Sequence, residues 1–212
     1  METPHLPYTI RDVIKARVER LSPAARKLAN LAAIIGTRAE HETLASVAGL
    51  SEAETIAGLD ELREQRVLEE TGSVDAIHYD FTHPLLQQVI YSELGQARAR
   101  LLHATVAETL EQGYGNAAAS HADELAVHFA RAHSQPLARK AVKYLYAAGR
   151  GAIGRYANRE AANYLAAALD HLDKDPTIID APRDEILTTL ARTRQRLGEY
   201  DAAMELWTRA RD

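Results

Sequence analysis

The chain has 212 residues, 46% hydrophobic, 26% charged and 6% aromatic, with a formal net charge of −5 and no cysteine. That is enough apolar material for one or two domains with a true core; the missing cysteine excludes disulfides and thiolate metal sites and points to a reducing compartment, the cytoplasm. The negative charge argues against nucleic acid or an anionic membrane as partner, no run of about 18 apolar residues is present to span a bilayer, and the N-terminus lacks a signal-peptide core.

Scarce aromatics and abundant alanine favour tightly packed helices over a β-sandwich. Residues 1–8 carry Pro4 and Pro7 and read as an extended lead-in. Thr9 opens a helix, with Asp12 three residues on at capping-box spacing. Ile10, Val13, Ile14 and Val18 should form its buried face. Ser22-Pro23 is a second start, an N-cap followed by proline at the first helical position. The helix AARKLANLAAII follows and stops at Gly36; its broad apolar face marks it as the central helix of a first domain. A short helix over residues 41–47 ends near Gly49. Ser51 caps the next, over residues 52–66, with Ile56, Leu59 and Leu62 inward. Two β-like runs, 67–70 and 77–81, flank a polar turn containing Thr71, Gly72 and Ser73. Three helices followed by a hairpin is the order of a winged helix-turn-helix.

The next stretch, YDFTHPLLQQVIYSELGQARARLLH, runs from Tyr79 to His103. It begins as a strand, since Ile77, Tyr79 and Phe81 alternate with polar residues. It then turns through Thr82, His83 and Pro84 into a helix whose apolar stripe is Leu85, Leu86, Val89, Ile90 and Leu94. A residue before proline is pushed out of the α region, so His83 should sit at the helix mouth. Gly95 ends that helix. Another spans residues 96–112, with Leu102, Val106 and Leu110 inward. GYGNAAA, residues 113–119, reads as a small-residue linker.

Beyond it only helices are expected, over residues 120–132, 136–156, 158–172, 182–197 and 199–211. YANREAANYLAAAL, from Tyr156, aligns with LGEYDAAMELWTRA, from Leu197, at an offset of roughly forty residues; the second piece looks like a tetratricopeptide repeat, usually about 34 residues long. Trp207, Leu206 and Tyr200 should hold the last helix against the one before it. A solenoid needs a capping repeat and none is evident, so a longer array is expected.

Taken in order, LPYTIRDVIKARVERLSPAARKLANLAAIIG, LDELREQRVLEE, YDFTHPLLQQVIYSEL, RARLLH, ELAVHFARA and AVKYLYAAGRGA resemble the region after the nucleotide-binding domain of STAND-class signalling ATPases, including cyclase-linked proteins. The resemblance covers residues 6–212. It implies a switch in which nucleotide, held between an ATPase module and the winged helix, keeps the protein closed, while the helical array senses a ligand or partner. The phosphate-binding loop G-x-x-x-x-G-K-[ST] is absent, so this chain is not itself the ATPase.

His83 is the sharpest candidate residue. A helix N-terminus presents free backbone N–H groups that attract phosphate, and a neutral imidazole there donates one N–H. The resemblance implies a nucleotide-sensing role for it; capping the helix or packing on the wing is the simpler role. Arg100 and His103 match the family's basic-residue-then-LH pattern, or are a solvated Arg and a hydrogen-bonded His. Gly149 to Gly154 spells G-x-G-x-x-G, but a dinucleotide site needs a strand before it and KAVKYLYAA is helical. His121, Glu124, His128 and His133 invite a metal reading, yet HExxH is absent. The candidate recognition helix carries Glu52, Glu54, Asp60, Glu61 and Glu64 against Arg63 and Arg66, the wrong balance for phosphate contacts.

The reading is a mainly α protein: a winged-helix domain with flanking helices over residues 1–112, the linker 113–119, then tetratricopeptide-like repeats over 120–212. Its expected function is the non-enzymatic, regulatory and protein-interaction arm of a STAND-type ATPase. The chain holds no cofactor of its own or metal; ATP or ADP belongs to an ATPase module in cis or in trans. A protein partner or small ligand is expected on the repeats, and neither DNA nor membrane. The alternatives are a transcription regulator binding DNA through the winged helix, and an enzyme with a site between the domains.

Overall fold

A computed structural model describes residues 9–73, 76–178 and 181–211. The lead-in expected over residues 1–8 lies outside them. The protein is mainly helical with one small antiparallel sheet, and it divides into two compact units, Met1–Thr109 and Leu110–Asp212.

In the first unit, α1 (Ile10–Glu19) starts with the capping box expected of Thr9 and Asp12, the Thr9 amide donating to Asp12 Oδ2 at 3.0 Å and the Asp12 amide to Thr9 Oγ1 at 3.3 Å. Its buried face is narrower than expected. Ile14 is buried with Leu86 and Val89, whereas Ile10 is 70% and Val13 51% exposed. The reason is that α1 packs mainly on one neighbour, α5 (Pro84–Glu93), where Arg11 and Lys15 also reach Glu93 at 2.9 and 3.2 Å.

The central helix is α2 (Pro23–Ile35), capped by the Ser22 hydroxyl, with every residue from 28 to 34 buried. After β1 (Arg38–Glu40) come α3 (His41–Ala48) and α4 (Glu52–Glu64), the latter opened by a Ser51–Glu54 capping box. A Cβ on Gly58 would meet Leu28 Cδ1 at 2.7 Å and the Ala25 backbone nitrogen at 3.2 Å, so α4 packs closely on α2 through this glycine and a larger residue would have to displace Leu28. The stripe facing α2 is therefore Thr55, Gly58, Leu59 and Leu62; Ile56, expected inward, lies one step of about 100° off it and is 49% exposed.

The expected hairpin is β2 (Leu68–Ser73) and β3 (Ala76–Phe81), with Glu70 opposite Tyr79. A third strand, β1, was not legible: three residues show no alternation, and only the pairing of buried Ala39 with Tyr79 makes them a strand. Sheet order β1-β3-β2 with α2, α3 and α4 in this sequence is winged-helix topology. Gly95, left-handed at φ 69°, separates α5 from α6 (Gln96–Tyr114), on which Val106 and Leu110 are buried.

The second unit begins inside α6. The expected linker is helical: α6 runs through Tyr114, and Gly115–His121 forms a 3₁₀ helix, because the alanines that made it look like a loop are strong helix formers. Then follow α7 (Ala122–Ala132), α8 (Gln135–Gly154), α9 (Asn158–Lys174), α10 (Arg183–Arg196) and α11 (Tyr200–Arg209), each packed on the next in chain order. That serial packing is the arrangement of a helical array. Gly149 serves it: a Cβ there would meet Leu165 Cγ at 2.9 Å where α8 crosses α9. The G-x-G-x-x-G motif lies wholly inside α8, with no strand before it. On α11, Leu206 and Ala203 are buried and Trp207 half-buried under the Arg192 guanidinium, 5.9 Å from its ring centroid. Tyr200, expected to help hold this helix, is 67% exposed because it is the first residue of α11 and has no turn before it to pack under.

Candidate functional site

The β3–α5 junction is built from local rules. His83 is extended, at φ −150° and ψ 133°, as a residue before proline should be. Pro84 then sets the first helical turn. The Leu85 amide donates to His83 Nδ1 at 3.1 Å, and the Leu86 amide donates to the His83 carbonyl at 2.9 Å. Pro84 has no N–H at all. The amides expected to attract phosphate are thus already used or missing, and the mouth of α5 is no ready-made anion cradle. The cap has a second consequence. With Nδ1 accepting from the Leu85 amide, the ring proton sits on Nε2, leaving one donor on an exposed side chain.

A cleft of about 1050 Å³ opens beside His83 within the first unit. Its apolar lining is Ile10, Ile14, Leu68, Leu85 and Leu86. Its rim carries Arg17, Arg63, Arg66, Thr82 and His83 together with Asp60, Glu64, Glu69 and Glu70. Arg63 is engaged, at 3.2 Å from Asp60 and 3.6 Å from Glu70. Glu70 also lies 3.5 Å from the Tyr79 hydroxyl, whose pKa is raised by burial first and by that carboxylate second. Arg17 and Arg66 have no carboxylate partner among the described residues. Two hydrogen bonds stitch the α4–β2 turn to the β3–α5 turn: Thr82 Oγ1 donates to the Arg66 carbonyl at 2.6 Å, and the Thr82 amide to that of Val67 at 3.2 Å.

The other sequence-selected residues lie elsewhere. His103 is buried, its Nε2 3.0 Å from the Tyr91 hydroxyl, while Arg100 is exposed. His121 stacks on Tyr114 at 3.8 Å between centroids, and the Tyr114 hydroxyl donates to Glu124 at 2.6 Å. His128 is buried in α7, and burial, helped by the Arg131 charge, holds its pKa down at about 4. His133 faces His171 instead, 6.1 Å between ring centroids. Among the described residues no group of three or more His, Asp or Glu comes together as a metal site would need, and no helix is long and apolar enough to cross a membrane. Sequence reasoning missed Arg17 and Arg66 as cleft residues; Arg66 entered it only in the charge balance of a DNA-reading helix. Nothing in their local sequence marks them, since the fold alone brings them to one rim.

No protein-family model matches the chain, and no solved structure matches it. An uncharacterised protein of Rhizobium meliloti (strain 1021) is 30% identical to it over 159 residues, which is 74% of this chain and 15% of that protein. The matched part thus spans a small fraction of a much longer relative.

Proposed function

We propose that the chain is the regulatory and protein-interaction arm of a STAND-type ATPase, working in the cytoplasm. An ATPase module, in cis or in trans, holds ATP or ADP. His83 contacts its phosphates from the winged helix, and the helical array senses a protein partner or small ligand. The observation that carries this reading is the His83 ring: Nδ1 is spent on the helix cap, so Nε2–H is committed as a donor on the rim of an open cleft. The occurrence of a related stretch within a much longer protein supports an arm over a free-standing enzyme. The acidic residues of α4 weigh against DNA readout by this winged helix.

The test is His83→Ala in two settings. In the isolated chain it removes one cap and costs about 1 kcal/mol or less of stability. Joined to its ATPase module, the same change removes a hydrogen bond to a charged group, worth about 1.5–3 kcal/mol, and speeds ADP release roughly ten- to hundredfold. Basal output rises without inducer. Unchanged release of a fluorescent ADP from a folded variant reduces His83 to a structural cap.

A further inference from the structure

We infer that Arg66, with Arg17 of the same cleft, supplies the positive charge of a polyphosphate-binding rim to which His83 adds a single donor. The inference rests on the reading of His83 as a phosphate contact and names the residues that would do most of the binding.

One imidazole N–H is too little to hold a di- or triphosphate, and the amides at the start of α5 take no part. Arg66 follows the α4 C-cap, Gln65, with φ 52°, in the left-handed region that favours glycine. The turn closes as a glycine turn does, the Val67 amide donating to the Leu62 carbonyl at 2.8 Å. Arginine occupies the position against its backbone preference. Its guanidinium gains no carboxylate partner among the described residues, although Arg63, three residues earlier, takes two. The two bonds from Thr82 then tether this turn to the residue preceding His83. A planar guanidinium offers paired donors matched to phosphate oxygens, which lysine or histidine cannot. Glu64 and Glu69 line the same cleft and oppose an anion. An isolated polyphosphate should therefore bind weakly, with a Kd of the order of millimolar.

The experiment titrates the full 212-residue chain with pyrophosphate and, separately, ADP, following the His83 imidazole and arginine Nε–H resonances by NMR. Arg66→Gly is the decisive variant, because glycine suits φ 52° and should keep or raise Tm while deleting the guanidinium. It is expected to weaken pyrophosphate about tenfold, Arg17→Gln less, and Arg20→Gln, an exposed arginine outside the cleft, not at all. ADP binding more tightly than pyrophosphate assigns the site to a nucleotide, and equal affinity to free polyphosphate; both uphold the rim. Arg66→Gly that binds like the parent chain overturns it. If His83→Gln then still weakens binding, the His83 contact survives without the arginines. If Arg66→Gly abolishes binding and His83→Gln changes nothing, the rim stands and the His83 contact falls. No perturbation by pyrophosphate at about ten times the expected Kd removes the inference.

Discussion

At the scale of single residues, burial decides what a side chain can do more than its type does. His83 and His128 show the two extremes. His83 sits in solvent and uses one ring nitrogen to end-cap a helix. His128 is 2% exposed, and burial depresses its pKa from 6.5 to about 4. The unfolded ring takes its proton near 6.5, and the folded ring does so only near 4. Its contribution to stability is therefore complete above pH 6.5 and is lost as pH falls from there to about 4, a loss of about 3 kcal/mol. The capping carboxylates Asp12 and Glu54, held below their ordinary 3.8 and 4.5 by bonds from Thr9 and Ser51, begin to lose their contribution only below those values. Urea unfolding of the parent chain and of His128→Gln should thus diverge in slope between pH 6.5 and 4.5. Parallel profiles would show that this histidine does not carry the acid sensitivity.

At the scale of elements, helix ends and helix crossings obey different chemistry. The ends are polar and local: Thr9, Ser22 and Ser51 each cap a helix through their own hydroxyl. The crossings are apolar and close, through Gly58 on α4 and Gly149 on α8. The last pair of helices combines an ion cluster with an apolar seam. Asp173, at the end of α9, accepts from Arg183 and from Arg209 at 3.1 and 2.9 Å; burial pushes its pKa up, but the two arginines outweigh this and hold it below the usual range. All three side chains are more than two-fifths exposed, so the cluster is worth little, about 1 kcal/mol or less. The seam should dominate. Leu206→Ala is expected to cost about 2–3 kcal/mol and Asp173→Asn under about 1 kcal/mol. Half-buried Trp207 should lose less on truncation than the roughly 3–5 kcal/mol of a fully buried aromatic. Hydrogen exchange after Leu206→Ala should rise in α10 and α11 and stay unchanged in α2, since repeats contact only neighbours. Uniform loss of protection would mean that the chain unfolds as one cooperative block.

At the scale of the molecule, the proposed arm predicts that the cleft beside His83 binds phosphate without hydrolysing it. The sequence contains no phosphate-binding loop of the form G-x-x-x-x-G-K-[ST]. Purified chain incubated with ATP should release no phosphate above the blank. Turnover that survives removal of contaminants and disappears with His83→Ala would turn the proposed arm into an enzyme.

What the residues alone determined is what local physics decides. Caps, prolines and glycines set where helices start and stop within a few residues, and periodicity separated the hairpin from the helices. The serial alanine-rich helices of the second unit followed from the same signals. The extended backbone of His83 at the mouth of α5 was legible too, because a residue before proline at a strand-to-helix turn has few conformations. Tertiary structure decided the rest. Which side of α1 is covered depends on where α5 packs, so Ile10 and Val13 stay exposed despite a helical apolar stripe. Three residues became β1 only because β3 was there to pair with them. Arg66 took a left-handed backbone, and Arg17 came to the same cleft from a helix almost fifty residues away in sequence. Residues that far apart share a rim only when the chain is packed, and no local pattern encodes that meeting.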